Sequence, residues 1–168
     1  MATLGAKPSY AIRDGLRATH AVSYAVTSAF THRIEVRFRD CDAMGHVNNA
    51  VYFTYFEQAR AVMAETLGLR RELAQAGLGV ILAHTSCDYK EQVVFGDQVD
   101  VGVRMVALGR TSFTSEFEAR RVRDEAVVAV GRSVQAVFDY DVNRTTPIPD
   151  GLRAKLEALM IGSVVAAS

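Results

Sequence analysis

The chain has 168 residues, 49% of them hydrophobic, and its 19 basic and 19 acidic side chains leave a formal net charge of zero. That length supports one domain with a sizeable core. The charge balance excludes the broad basic excess of a typical nucleic-acid-binding domain, so no nucleic-acid partner is expected. Two cysteines, Cys41 and Cys87, cannot build a disulfide framework and suit a reducing cytosol. No apolar run reaches the length of a membrane span, and the order of charged and apolar parts at the N-terminus is poor for a secretory signal. The reading is a soluble, cytoplasmic protein with no membrane partner.

Residues 1–30 show neither helical nor strand periodicity, with Gly5, Pro8 and Gly15 as breakers, and read as an extension peripheral to a domain spanning 31–162. From His32 the pattern changes. Ile34, Val36 and Phe38 alternate with Arg33, Glu35, Arg37 and Arg39, which predicts a half-buried strand. A polar stretch, Asp40 to Gly45, interrupts the alternation, and Asn48-Asn49 offers side-chain caps for a helix starting near Ala50. That helix is expected to run from about Val51 to Gln75 and to stop at Gly77, with Gly68 as a weak point inside it. Its first turns are apolar almost all round, which places it in the interior.

Strands follow over Val80–Tyr89 and Gln98–Leu108, the latter with Val99, Val101, Val103 and Met105 on one face. Two more cover Thr111–Arg123 and Ala126–Tyr140, separated from their neighbours by the short turns Gly109-Arg110 and Asp124-Glu125. The basic run Arg120-Arg121-Val122-Arg123 reads as solvated strand and turn residues. Pro147 and Pro149 break the chain before a short helix, about Asp150–Met160. The order predicts an α+β fold in which an antiparallel sheet of about five strands, four of them in a meander, wraps one long buried helix. The open edges of such a sheet favour pairing with a second copy.

Chemistry concentrates in ten residues. Asp40, Asp42, His46, Asn48 and Asn49 lie between a strand end and a helix start. The backbone N–H groups at a helix N-terminus can stabilise the oxyanion formed when a thioester carbonyl is attacked. A nearby carboxylate can act as nucleophile or as general base for water. Strand parity does not separate Asp40 from Asp42; Asp40 is read as scaffold, holding the loop through backbone N–H groups. His46 is either a general acid–base group or a residue that fixes the loop. Glu57 and Arg60, three apart on the helix, read first as an ion pair at a subunit interface, with orientation of water or substrate as the sharper role for Glu57. Cys41 is discounted as a nucleophile because its parity is opposite to Asp42.

The run Asp40-x-Asp42, Gly45-His46-Val47-Asn48-Asn49 and Tyr52-x-x-Tyr55-x-Glu57-x-Ala59-Arg60 resembles the signature of hotdog-fold thioesterases of the 4-hydroxybenzoyl-CoA thioesterase type. Weaker resemblance continues through Tyr89-Lys90, Phe95-Gly96-Asp97, Gly109 to Phe113 and Pro147-Ile148-Pro149, covering about Thr31 to Leu159. It implies a curved sheet around the helix, homodimers with two sites at the interface, often paired into homotetramers, and no metal or prosthetic group. It also implies Asp42 as the catalytic carboxylate and the Asn49 N–H as the group that polarises the carbonyl. Pantetheine and nucleotide contacts are implied near Gly109 to Ser112, with Arg110, Thr111 and Ser112 as candidates; Tyr52, Phe53 and Phe56 are candidate pocket linings.

The His-Val-Asn-Asn run departs from the bacterial 4-hydroxybenzoyl-CoA enzymes and is similar to the branch with fatty acyl-CoA and plant acyl-carrier-protein thioesterases, which shifts the expected substrate from aromatic toward fatty acyl groups. The expected function is hydrolysis of an acyl-CoA or acyl-carrier-protein thioester. A hotdog hydratase or dehydratase and a non-catalytic acyl-CoA-binding module are the alternatives.

Overall fold

A computed structural model describes residues 28–160. Within the expected extension, residues 1–27 lie outside the described residues, whereas Ala29 and Phe30 are already core, each 1% exposed. Strand β1 (Phe30–Glu35) is followed by two helices, α1 (Val51–Thr66) and α2 (Leu69–Gln75). Four longer strands come next: β2 (Leu78–Tyr89), β3 (Gln98–Leu108), β4 (Ser112–Arg121) and β5 (Ala126–Asp139). A two-residue strand β6 (Arg144–Thr145) and helix α3 (Asp150–Met160) complete the chain's described part. All pairings are antiparallel, and the sheet order is β1-β3-β4-β5-β2, with β6 on β5.

The sheet is therefore not a four-strand meander, as expected from the sequence. Short turns tie β3, β4 and β5 into consecutive hairpins, but the connection 90–97 carries the chain from β2 at one edge to β3, leaving β2 paired with β5. Among the described residues only its β5 side is bonded, so β2 is there a twelve-residue edge strand. The expected inward face of β3 is confirmed, with Val99, Val101 and Val103 fully buried.

Two further expectations are corrected. Strand β1 ends at Glu35 rather than continuing through Phe38. Asp40 accepts the Arg37 N–H at 2.9 Å and closes a 3₁₀ turn over Phe38–Asp40. Phe38 is left 80% exposed, edge-on to Phe95. The single long helix is two helices, because Gly68 adopts φ 67°, in the left-handed region where Thr66 and Leu69 cannot be joined by continuous helix. Gly68→Ala is expected to cost about 1 kcal/mol, read from the midpoint of urea unfolding.

Nor is α1 wrapped on all sides: Tyr52, Tyr55, Phe56, Ala59 and Met63 are buried on one face, while Thr54, Glu57 and Ala61 are exposed. The Phe56 ring stacks on Phe117 of β4 with centroids 4.8 Å apart. Gly131 on β5 permits that approach, since a Cβ there would stand 2.3 Å from Phe56 Cε2.

The basic run is not simply solvated. Arg121 is buried at 6% exposure, where it donates to Asp124, Glu91 and the Gln92 carbonyl. Arg123 pairs with Asp97, whose other oxygen accepts the Val94 N–H. These contacts anchor the connection 90–97, against which the polar loop after β1 is laid.

Candidate active site

The loop from Asp40 to Asn49 is built on that connection. The Val47 N–H donates to the Val93 carbonyl at 2.8 Å, and backbone bridges join Cys41 to Val47 and His46 to Val94. Inside the loop the Asp42 N–H donates to the His46 carbonyl at 2.9 Å and the Gly45 N–H to the Asp42 carbonyl at 3.0 Å. Such a tight reversal requires a residue of positive φ, supplied by Gly45 at 81°.

The two carboxylates have separate environments. Asp40 Oδ2 accepts both the Arg37 N–H and the Tyr55 hydroxyl, each at 2.9 Å, so its side chain ties the loop to α1. Burial, then Asp40 itself, pushes the Tyr55 phenol far above its ordinary pKa, keeping it a donor. Tyr55→Phe leaves that carboxylate one donor short and is expected to destabilise the fold by about 2 kcal/mol, read by urea unfolding. Asp42 is half-buried. Its Oδ1 accepts the Met44 N–H at 2.8 Å, and the carboxylate has no other hydrogen bond among the described residues.

At the helix start, Asn48 Oδ1 accepts the Ala50 N–H at 2.9 Å. Neither expected asparagine caps α1: Ala50 is the N-cap residue and the helix has no side-chain cap hydrogen bond, so the Asn48 contact closes a turn just before it. Asn49 contributes backbone instead. Its carbonyl accepts the Tyr89 hydroxyl at 2.9 Å, while its N–H has no acceptor among the described residues. His46 is half-buried and fixed through its backbone. Cys41 pairs in the short bridge with Val47, and burial, reinforced by Asp40, raises its thiol pKa, which disfavours a thiolate nucleophile.

Tyr52 is 3% exposed and packs edge-on against Tyr55 and Tyr89, with centroids 6.0 and 5.3 Å away. Burial moves its phenol up to about 12. Glu57 is exposed, with Oε1 3.9 Å from Arg60 Nη2. Arg110, Thr111 and Ser112 fall elsewhere. They form the β3–β4 turn, at the sheet end shared by Leu78 and Asp139, whereas Asp42 lies at the end shared by Val99 and Tyr89. The ten residues of β4 separate those ends by about 30 Å. One chain therefore does not bring them to Asp42.

Sequence reasoning missed Tyr55 and Tyr89 as the anchors of Asp40 and Asn49. Their hydroxyls in otherwise apolar patterns were the available signal. Among the described residues no group of three or more His, Cys, Asp or Glu is placed to hold a metal ion, and no helix is long and apolar enough to cross a membrane.

Residues 36–156 match the family model of the thioesterase-like superfamily. The 1,4-dihydroxy-2-naphthoyl-CoA hydrolase of Synechococcus elongatus is 25% identical over 125 residues, which cover 73% of this chain and 90% of that one. Among solved structures, the PA2801 protein of Pseudomonas aeruginosa aligns with a TM-score of 0.70 and 33% identity, covering 77% of this chain and 98% of its own. A Thermus thermophilus thioesterase, solved with coenzyme A and zinc, aligns with a TM-score of 0.68 and 33% identity over 80% of this chain and 96% of its own. The chain belongs to the thioesterase-like superfamily. Its curled antiparallel sheet and central helix are the hotdog architecture, and it is a thioester hydrolase.

Proposed function

We propose that the protein hydrolyses acyl-CoA thioesters, with Asp42 as the carboxylate that attacks the carbonyl carbon or activates water, and the Asn49 N–H as the donor that polarises the carbonyl oxygen. The observation that carries this reading is a carboxylate oxygen and a backbone N–H that have no partner among the described residues, in one loop just before a helix that buries one face. Attack at the carbonyl gives a tetrahedral oxyanion, which the N–H and the positive end of the helix stabilise. Collapse expels the CoA thiolate. If Asp42 attacks directly, water then hydrolyses the mixed anhydride; if it acts as base, the acid forms in one displacement. His46 acts here through the turn it closes, and Glu57 through Arg60. Coenzyme A in the Thermus relative favours CoA as carrier, with acyl carrier protein as the alternative.

The site is completed, on this reading, in a homodimer. Among the described residues, strand β2 presents twelve residues of unpaired edge, and Leu82 stands 51% exposed on it. Antiparallel pairing of two β2 edges about a twofold axis sets the Leu78 end of one protomer beside the Tyr89 end of its partner. That brings the Arg110–Ser112 turn of one chain toward the Asp42 loop of the other, where it can hold the pantetheine and nucleotide. The two unpaired thiols, Cys41 and Cys87, fit a cytoplasmic setting.

The test is a free-thiol assay over a series of acyl-CoA and acyl-carrier-protein substrates. Release of thiol from acyl-CoA is the expected result. Tight acyl-CoA binding without turnover would replace the reading with a binding module, and hydration of an enoyl-CoA without thiol release would replace it with a hydratase.

A further inference from the structure

Asn49 stands between two peptide groups that are held in different ways. In the peptide before it, the Asn48 carbonyl accepts the Val51 N–H at 2.9 Å, while the Asn49 N–H has no acceptor among the described residues. In the peptide after it, the Ala50 N–H donates to Asn48 Oδ1 and the Asn49 carbonyl accepts the Tyr89 hydroxyl, each at 2.9 Å. The two Asn48 contacts join near neighbours in the chain, so they shape the turn without placing it against the sheet. Tyr89 is different. It lies 40 residues away and ends β2, so its hydroxyl ties the Asn49–Ala50 peptide to the sheet.

A peptide unit is planar, so the Asn49 N–H can swing only if its whole unit turns about the flanking Cα bonds. The Asn48 carbonyl, held by Val51, and the Asn49 carbonyl, held by Tyr89, fix the units on either side of the Asn49 Cα. Losing the Tyr89 bond frees the second unit, and with it the backbone angles that aim the N–H.

Tyr89 is itself braced. Its ring meets Tyr52 edge-on with centroids 5.3 Å apart, and Tyr52 meets Tyr55 at 6.0 Å. Tyr55 donates to Asp40, so three rings link the hydroxyl that holds the loop before Asp42 to the one that holds it after. Just beyond Tyr89, the Lys90 and Glu91 N–H groups both donate to the Val128 carbonyl, at 2.8 and 3.2 Å, which holds the end of β2 on β5. Partial burial raises the Tyr89 pKa, keeping the hydroxyl protonated and able to donate.

We infer that Tyr89 is a positioning residue for thioester cleavage: by holding the Asn49 carbonyl it keeps the Asn49 N–H aimed at the oxyanion that forms on the substrate. The inference rests on the role proposed above for Asn49 and adds to it a residue of β2. Its effect is preorganisation, since a donor already in place needs no rearrangement as charge develops. Tyr89 acts through Asn49 and takes no part in bond breaking.

The experiment uses octanoyl-CoA and the variant Tyr89→Phe, which removes the hydroxyl and keeps the ring against Tyr52. Thiol release should show kcat about tenfold lower with KM within about twofold of wild type. An unchanged kcat, or a rise in KM alone, overturns the inference. The second readout is the infrared stretch of an isotope-labelled thioester carbonyl bound to Asp42→Asn, with and without Tyr89→Phe. In Asp42→Asn the stretch should fall below its value in water, and in the double variant that fall should shrink. A loss of activity that came only from a loosened fold would leave the frequency of the bound carbonyl where it was. A fall of equal size in both variants therefore overturns the role of Tyr89 while leaving Asn49 as the donor. Thiol release by Asp42→Asn at the wild-type rate, or no fall in that variant, overturns the reading of the site and the inference with it.

Discussion

Asp42→Asn is expected to reduce kcat for acyl-CoA hydrolysis by about a thousandfold with little change in KM, the range in which loss of a positioned acid–base or nucleophilic carboxylate falls. The substitution is well suited to the site. An asparagine oxygen can still accept the Met44 N–H that Asp42 Oδ1 accepts at 2.8 Å, so the turn closed by Gly45 should persist. What disappears is the negative charge and the basic lone pair. An effect confined to kcat means that the lost interaction belongs to the transition state rather than to substrate binding. A rise in KM at constant kcat would instead assign Asp42 to binding. Unfolding of wild type and variant in urea should agree within about 1 kcal/mol, since the residue is half-buried and makes one local hydrogen bond.

Gly131→Ala is the second large effect, and it acts on the fold. The added Cβ would meet Phe56 Cε2 at 2.3 Å and two further ring carbons at 2.8 Å. Phe56 cannot swing away cheaply, because its ring also stacks on Phe117 at 4.8 Å with an interplanar angle of 16°. Either α1 lifts from the sheet or the ring leaves its rotamer. The cost is expected at about 2–3 kcal/mol, lowering Tm by about 5–10 °C. The double variant Gly131→Ala with Phe56→Leu makes room for the methyl group and should be more stable than the sum of the two single losses predicts; strict additivity would show that the clash is not the cause. Since α1 carries Asn49 at its head, the single variant should also lose activity.

Much of this architecture is legible in the sequence because its strands alternate cleanly. The Val99, Val101, Val103 and Met105 face appears where the two-residue period puts it, and α3 occupies Asp150–Met160 as the flanking prolines suggest. Local patterns fail where the deciding interaction is distant or conformational. Gly68 fits a helical pattern as a mildly unfavourable residue, and only its left-handed backbone divides α1 from α2. Val36 and Phe38 keep strand parity while the Asp40 carboxylate bends the chain away. The pairing of β2 with β5 depends on where residues 90–97 cross, which no periodicity records.

The candidate site divides in the same way. The segment Asp40 to Asn49 stands out by its density of polar groups, but the assignment of Asp40 to scaffold needed Tyr55, fifteen residues away. Arg110, Thr111 and Ser112 lie at the far end of the sheet, a separation that sequence order conceals. Gln135 is fully buried on β5 with its amide beside Arg60, a polar group inside the core that the sequence analysis did not single out.

We propose above that one side chain and one backbone N–H of the same loop divide the work of thioester cleavage. That division is tested most directly by free-thiol release from a common acyl-CoA, measured in parallel for wild type, Asp42→Asn and Asn49→Ala. The expected result is turnover by wild type, near-complete loss in Asp42→Asn, and rates within about tenfold of wild type in Asn49→Ala, whose backbone N–H is unchanged. Equal thiol release by Asp42→Asn and wild type would contradict it.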